Sequence, residues 1–199
     1  MYAPGESPFH VRGSTYLGIR EHVKATLPGG MEAVCEAMPA GPHRSFVEQR
    51  FTADGWYDAL TIRPLTEIIA KLEQRSWEQS LRARAQDLAR REGGVLGRVR
   101  MMASSPEKVA EKLQLAALER FDFGRAEIVE TARGLSKAAY HEVPQPLGAW
   151  LVACLDGHAG VLISNAGGKQ PKLTSRLIPQ GRRGEMGLVD VRVDMSWSR

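Results

Sequence analysis

The chain has 199 residues, of which 43% are hydrophobic and 25% charged, and its formal net charge is +4. This length can bury the core of one domain without disulfides or a structural metal. The mildly basic balance permits an acidic partner but does not imply one.

Features of membrane or secreted proteins are missing from the sequence. No run of eighteen apolar residues occurs, and residues 1–8 have neither the basic nor the apolar region of a secretory signal. Cys35 and Cys154 lie far apart, each within an apolar helical pattern, which indicates reduced, buried thiols. We therefore expect a cytoplasmic protein with no membrane span. It consists of a flexible lead-in at 1–8 and a single domain at 9–199.

The first half of the chain has the periodicity of helices. Apolar residues recur every three or four positions, and Pro and Gly separate the segments. Ser14 is the expected N-cap of the first helix, and the motif Pro39-Ala40-Gly41-Pro42 is expected to end the second. The predicted helical segments are 14–27, 31–38, 46–55 (a short helix and a turn), 64–74, 76–91 and a further turn or two at 95–102.

A clear helix start follows at Ser104-Ser105-Pro106-Glu107. Serine before proline and glutamate satisfies unpaired N–H groups and complements the helix dipole. We expect this helix to run to about residue 120.

The second half of the chain changes to strand patterns. Residues 189–197 alternate strictly, with Val, Met and Trp on one side and charged or polar residues on the other. Such a strand has one buried and one wet face, as in an antiparallel sheet covered on one side by helices. The other predicted elements are strands at 126–129, 135–143 and 172–178, a helix at 147–162 and a polar loop at 181–184. The predicted fold is α+β: a helical N-terminal portion packed on a small antiparallel sheet formed by a C-terminal β-β-α-β-β segment.

Four short motifs in this order resemble a paralogous family of myxobacterial domains of unknown function. They are Gly13-Ser14, Trp56-Tyr57, Ser105-Pro106-Glu107 and the closing strand that ends at Trp197. That family is similar, more distantly, to the fold of vinyl-reductase-type ligand-binding domains and heme-NO-binding sensors. The resemblance implies a sensory or regulatory module without catalytic residues. Heme-NO-binding sensors use a histidine ligand and a Tyr-x-Ser-x-Arg motif. The chain lacks that motif, so no cofactor is expected.

Other site motifs are weak or missing. Cys154 and His158 lie four residues apart, but two ligands do not complete a zinc site. Gly167-Gly168-Lys169 is incomplete as a phosphate-binding loop and follows a predicted helix, so it indicates a helix end. No Gly-x-Ser-x-Gly occurs, although an enzyme with scattered catalytic residues remains an alternative.

Large apolar side chains are candidates for lining a ligand pocket. We expect such a pocket between the N-terminal helices and the sheet. Its candidate residues are Trp56, Tyr57, Trp150, Cys154 and Trp197. The alternative is that these side chains fill the core.

An arginine-rich segment spans residues 75–100, with seven arginines against three acids. It is the candidate surface for a polyanion or a partner protein, although no aromatic residues or known nucleic-acid motif accompany it. The alternative is a solvated helix face with ion pairs. The residues of this candidate face are Arg82, Arg84, Arg90, Arg91, Arg98 and Arg100.

Three hypotheses of function follow. The first is a non-enzymatic regulatory, sensory or adaptor domain that binds a small apolar ligand, a protein partner or both, with homodimerisation left open. The second is nucleic-acid binding through the arginine-rich segment, and the third is an enzyme.

Overall fold

The computed structural model describes residues 2–92 and 104–198. It confirms the α+β class, with a helical N-terminal part and a C-terminal antiparallel sheet of four strands. The predicted turn or two at 95–102 lies outside the described residues.

The N-terminal part consists of short helices around a small two-stranded ribbon. Strands β1 and β2 pair antiparallel, with Val11 opposite Tyr57. A single 3-10 turn, Ala59–Thr61, links β2 to α4. The elements are β1 (His10–Arg12), α1 (Gly13–Thr26), α2 (Gly30–Ala37), α3 (Pro42–Glu48), β2 (Trp56–Asp58), α4 (Ile62–Leu72) and α5 (Trp77–Glu92).

Asp58 joins the N-terminal lead-in to this part. Its buried carboxylate accepts hydrogen bonds from the backbone N–H groups of Gly5, Ser7 and Leu60 and from the Ser7 hydroxyl, at 2.6–3.3 Å. A buried carboxylate is stable only when its oxygens are satisfied in this way.

The C-terminal part is a sheet crossed by one long helix. Its strand order is β3-β4-β6-β5, and all neighbouring strands are antiparallel. The alternation predicted for the last strand is confirmed, because Val189, Val191, Val193, Met195 and Trp197 are all buried. The elements are α6 (Pro106–Ala116), β3 (Arg125–Ala132), β4 (Leu135–Pro144), α7 (Gln145–Asn165), β5 (Lys169–Arg183) and β6 (Met186–Ser198).

Helix α7 packs between the sheet and the helices α5 and α6. Two glycines allow this close packing. A Cβ on Gly148 would lie 2.8 Å from a Leu177 methyl group, and one on Gly157 would lie 2.5 Å from the Arg82 carbonyl oxygen. The sheet and α5 can therefore approach α7 from opposite sides.

Among the described residues, helix α7 alone is long and apolar enough to cross a membrane, whereas no span was expected from the sequence. Half of its most apolar window is buried inside the protein. A helix in the core of a protein can be as long and apolar as a membrane-spanning helix, because both environments favour apolar side chains.

Three local predictions were wrong. Ser14 is not an N-cap but lies inside α1, which begins at Gly13 after Arg12. The third helix does not occupy 46–55 but runs from Pro42 to Glu48, with Pro42 in the first turn, where its fixed φ suits the helix. Residues 181–183 belong to β5, because they continue its pairing with β6 up to Arg183 opposite Met186.

Candidate functional site

A cavity bordered by the described residues lies between α1, α5, α6 and α7. Its volume is about 1160 Å³. These helices are far apart in sequence. Helix α7 packs on α5 and α6, and α1 contributes a further wall of the cavity. Most of its wall is apolar, and the larger apolar side chains on it are Leu17, Ile19, Leu88, Leu113, Phe121, Trp150, Leu151, Leu155 and Leu162.

Gly18 marks open space on the α1 wall. A Cβ built on this residue meets no atom of the described residues within 4 Å. Its backbone is helical, so a larger residue here needs no unusual φ. Gly18 is therefore a position from which a side chain would enter the cavity.

The wall of the cavity where α5 meets α7 is called the inner wall here. Arg84, Cys154 and His158 lie together on it. Arg84 Nη2 lies 4.0 Å from Cys154 Sγ. His158, one turn further along α7, has its Nδ1 2.8 Å from the Cys154 carbonyl oxygen. Burial raises the pKa of the Cys154 thiol, and the Arg84 charge offsets only part of that rise. The thiol is therefore protonated at neutral pH and acts as part of an apolar wall.

His22 forms a second polar cluster on the cavity wall. Its Nε2 lies 3.1 Å from Glu73 Oε1, and its Nδ1 lies 4.0 Å from Asp87 Oδ2. The side chains of His22 and Glu73 are each only 6% exposed. The second Glu73 oxygen has no hydrogen-bond partner among the described residues. Both ring nitrogens of His22 thus face carboxylates of neighbouring helices.

The structure brings two of the five candidate pocket residues to this cavity, Trp150 and Cys154. Trp56 lies on β2, is 44% exposed and is covered by the Arg12 guanidinium at 4.1 Å. Tyr57 packs on Phe51, and its hydroxyl accepts a hydrogen bond from Thr52 N. Trp197 is buried in the core on the inner face of β6.

Four arginines of the candidate polyanion face lie within the described residues, and their side chains have different neighbours. Arg82 pairs with Asp156 on α7, and Arg90 pairs with Asp87 at 2.9 Å. Arg84 and Arg91 line the cavity. Arg98 and Arg100 lie outside the described residues. The described arginines thus form one ion pair between helices, one ion pair within α5 and parts of a cavity wall, and they do not share one exposed face.

Sequence reasoning missed the cavity roles of Gly18, His22, Arg84 and His158. Arg84 was expected on a polyanion face and His158 was weighed only as a metal ligand, while Gly18 and His22 carried no signal. The partners of Arg84 and His22 lie 70 and 51 residues away. Within residues 2–92 and 104–198, no group of three or more His, Cys, Asp or Glu side chains could hold a metal ion.

Solved structures of H-NOX proteins share this fold. The unliganded Fe(II) H-NOX protein of K. algicida superposes with a TM-score of 0.61 at 11% identity and covers 94% of this chain and 97% of its own. The S. oneidensis H-NOX protein in its Fe(II)NO state gives 0.55 at 13% identity, covering 94% and 99%. A mutant of the T. tengcongensis H-NOX protein gives 0.56 at 10% identity, covering 94% and 98%.

No protein-family model and no curated protein matches the sequence. At identities of 10–13%, the structural likeness carries the fold and not the ligand. The chain therefore has a heme-NO-binding-like α+β fold.

Proposed function

We propose that this protein is a non-enzymatic sensory domain that binds a small apolar ligand in the cavity between α1, α5, α6 and α7. The observation that carries the proposal is the cavity itself. Most of its wall surface is apolar, and polar or charged side chains, among them His22, Arg84 and His158, lie on the same wall. Ligand sites of proteins combine these features in volumes of roughly 300–1000 Å³, close to the size found here.

Two features argue against heme, the cofactor of H-NOX proteins, as the ligand of this cavity. Its wall carries two histidines, and His22 faces carboxylates through both nitrogens. His158 Nδ1 lies 2.8 Å from the Cys154 carbonyl oxygen, a contact that metal-ligating histidines also make, so it does not count against a metal. The Tyr-x-Ser-x-Arg motif of those sensors is absent from the sequence. We therefore propose an organic ligand that needs no iron.

The position of the cavity between α5 and α7 indicates how ligand binding would be transmitted to a partner protein. Helices α5 and α7 pack directly on each other, and each contributes one wall of the cavity. A ligand that fills the space stabilises the arrangement of both helices, and a partner protein can read that arrangement. Cytoplasmic localisation and homodimerisation remain predictions.

A substitution at Gly18 tests the proposal. Gly18→Phe places a ring in the open space, whereas Gly18→Ala changes the helix without filling the cavity. We expect the wild type and Gly18→Ala to bind the neutral apolar dye Nile red with enhanced fluorescence. Gly18→Phe should weaken this binding by about tenfold or more, equivalent to about 1.4 kcal/mol.

The matched variants also separate a blocked cavity from a damaged fold. Gly18→Ala should raise the stability of the protein by about 0.5–1 kcal/mol, because alanine favours a helix over glycine. Gly18→Phe should retain the wild-type circular dichroism spectrum. Equal dye binding by the Phe and Ala variants would contradict a ligand site in this cavity.

A further inference from the structure

Arg84 is a positive charge on the inner wall of the cavity and has no anionic partner among the described residues. It is half-buried and reaches the cavity from α5. Its side chain contacts the Cys154 sulfur at 4.0 Å, and among the described residues no carboxylate oxygen lies within 4.0 Å of its guanidinium. A thiol whose pKa is raised by burial does not neutralise it.

The acids nearest to Arg84 along α5 and α7 already have other partners. Asp87 accepts from Arg90 Nη1 at 2.9 Å, and Asp156 pairs with Arg82. The remaining acids on the lining, Glu21 and Glu119, are exposed side chains of α1 and of the segment after α6. A guanidinium against an apolar wall is costly unless an anion pairs with it, so the inner wall is prepared for an anion from outside the chain.

The geometry points to a ligand of a definite class, an apolar molecule that carries a carboxylate. This inference rests on the proposed function, because it assigns the ligand of the same cavity. The planar guanidinium of Arg84 pairs with the carboxylate, and a fork of two N–H donors matches its two oxygens. The leucine side chains and Trp150 then enclose the apolar body.

The experiment compares two ligands that differ in the head group alone. Dodecanoate is used below its micellar concentration and dodecanol below its solubility limit, and each displaces Nile red from the full chain. We expect the wild type to bind the carboxylate about tenfold or more tightly than the alcohol. That ratio corresponds to one charge-assisted hydrogen-bonded pair.

Three variants locate the origin of this preference. Arg84→Gln removes the charge at similar size, and Arg84→Lys keeps a charge but loses the planar fork. Arg90→Gln is the control, since it changes the net charge equally at a residue whose side chain is 60% exposed and absent from the lining. Arg84→Gln should abolish the preference for the carboxylate over the alcohol. Arg84→Lys should keep part of it, and Arg90→Gln should bind like the wild type.

Three results would overturn the inference. Dodecanol binding as tight as dodecanoate binding in the wild type would overturn the ligand class and leave the apolar cavity site in place. An unchanged preference in Arg84→Gln would remove Arg84 from the site. Binding of neither compound would overturn the proposed function and this inference together.

Discussion

His22 connects three helices through a single imidazole ring. It lies on α1, while its carboxylate neighbours Glu73 and Asp87 come from the end of α4 and from α5. The ring is buried, and the second Glu73 oxygen has no other partner within the described part of the chain. Removal of His22 therefore leaves a carboxylate that is almost inaccessible to water without a hydrogen bond.

We predict that His22→Leu lowers the free energy of unfolding by about 3 kcal/mol, because it breaks a buried polar pair by removing one partner. The double variant with Glu73→Leu should recover part of this loss, since neither polar group then remains buried alone. Urea unfolding of both single variants, the double variant and the wild type measures the coupling. Strict additivity of the two single losses would show that the pair does not interact.

At the scale of single residues, the sequence showed which side chains are large and apolar better than it showed where they lie in the fold. Trp150 and Cys154 were expected at a pocket and line the cavity, whereas Trp56 is exposed on β2. Size and hydrophobicity do not show whether a tryptophan packs inward or is covered by a neighbouring arginine such as Arg12. The proximity of Arg84 to Cys154 depends on how α5 crosses α7, which no local pattern encodes.

The start of helix α6 was predicted correctly from a short sequence motif, but one contact of that motif was not. Ser105 was predicted to cap this helix, and its hydroxyl accepts from Lys108 N at 3.3 Å with Pro106 in the first turn. Glu107 contributes in a way that was not predicted, because it accepts from Gly134 N in the turn between β3 and β4. The cap therefore also joins α6 to the sheet.

We predict that Ser105→Ala destabilises the protein by about 1 kcal/mol, the usual cost of losing an N-cap side chain. Ser105→Asp keeps an oxygen acceptor and should stay close to the wild type. Thermal unfolding of the three proteins provides the comparison. Equal stability of the Ala and Asp variants would mean that this cap contributes nothing.

Elements with a strong periodic pattern were predicted well, and very short ones were not. The alternation in β6 gave its buried face correctly, since each alternate residue meets the core. Strand β1 was missed, because three residues are too few to show a period of two. Strand β5 was predicted too short, because its exposed, basic edge sequence lacks an apolar face.

At the scale of the whole molecule, the cavity arises from the order of the elements. The N-terminal helices supply α1 and α5, and the C-terminal part supplies α6 and α7. The α+β class followed from the change of period along the chain. The cavity could not be predicted in the same way, since the empty space between four helices depends on their packing distances and not on any one sequence pattern.

The central claim is that this cavity holds a ligand, and a native mass spectrum of the purified wild-type protein tests it most directly. The account predicts a bound mass that is lost on denaturation, that is retained by Gly18→Ala and that is absent from Gly18→Phe. If the protein is isolated without a bound ligand, adding dodecanoate should produce a one-to-one adduct in the wild type and in Gly18→Ala, but not in Gly18→Phe. A wild-type spectrum that shows no adduct under either condition would contradict the account.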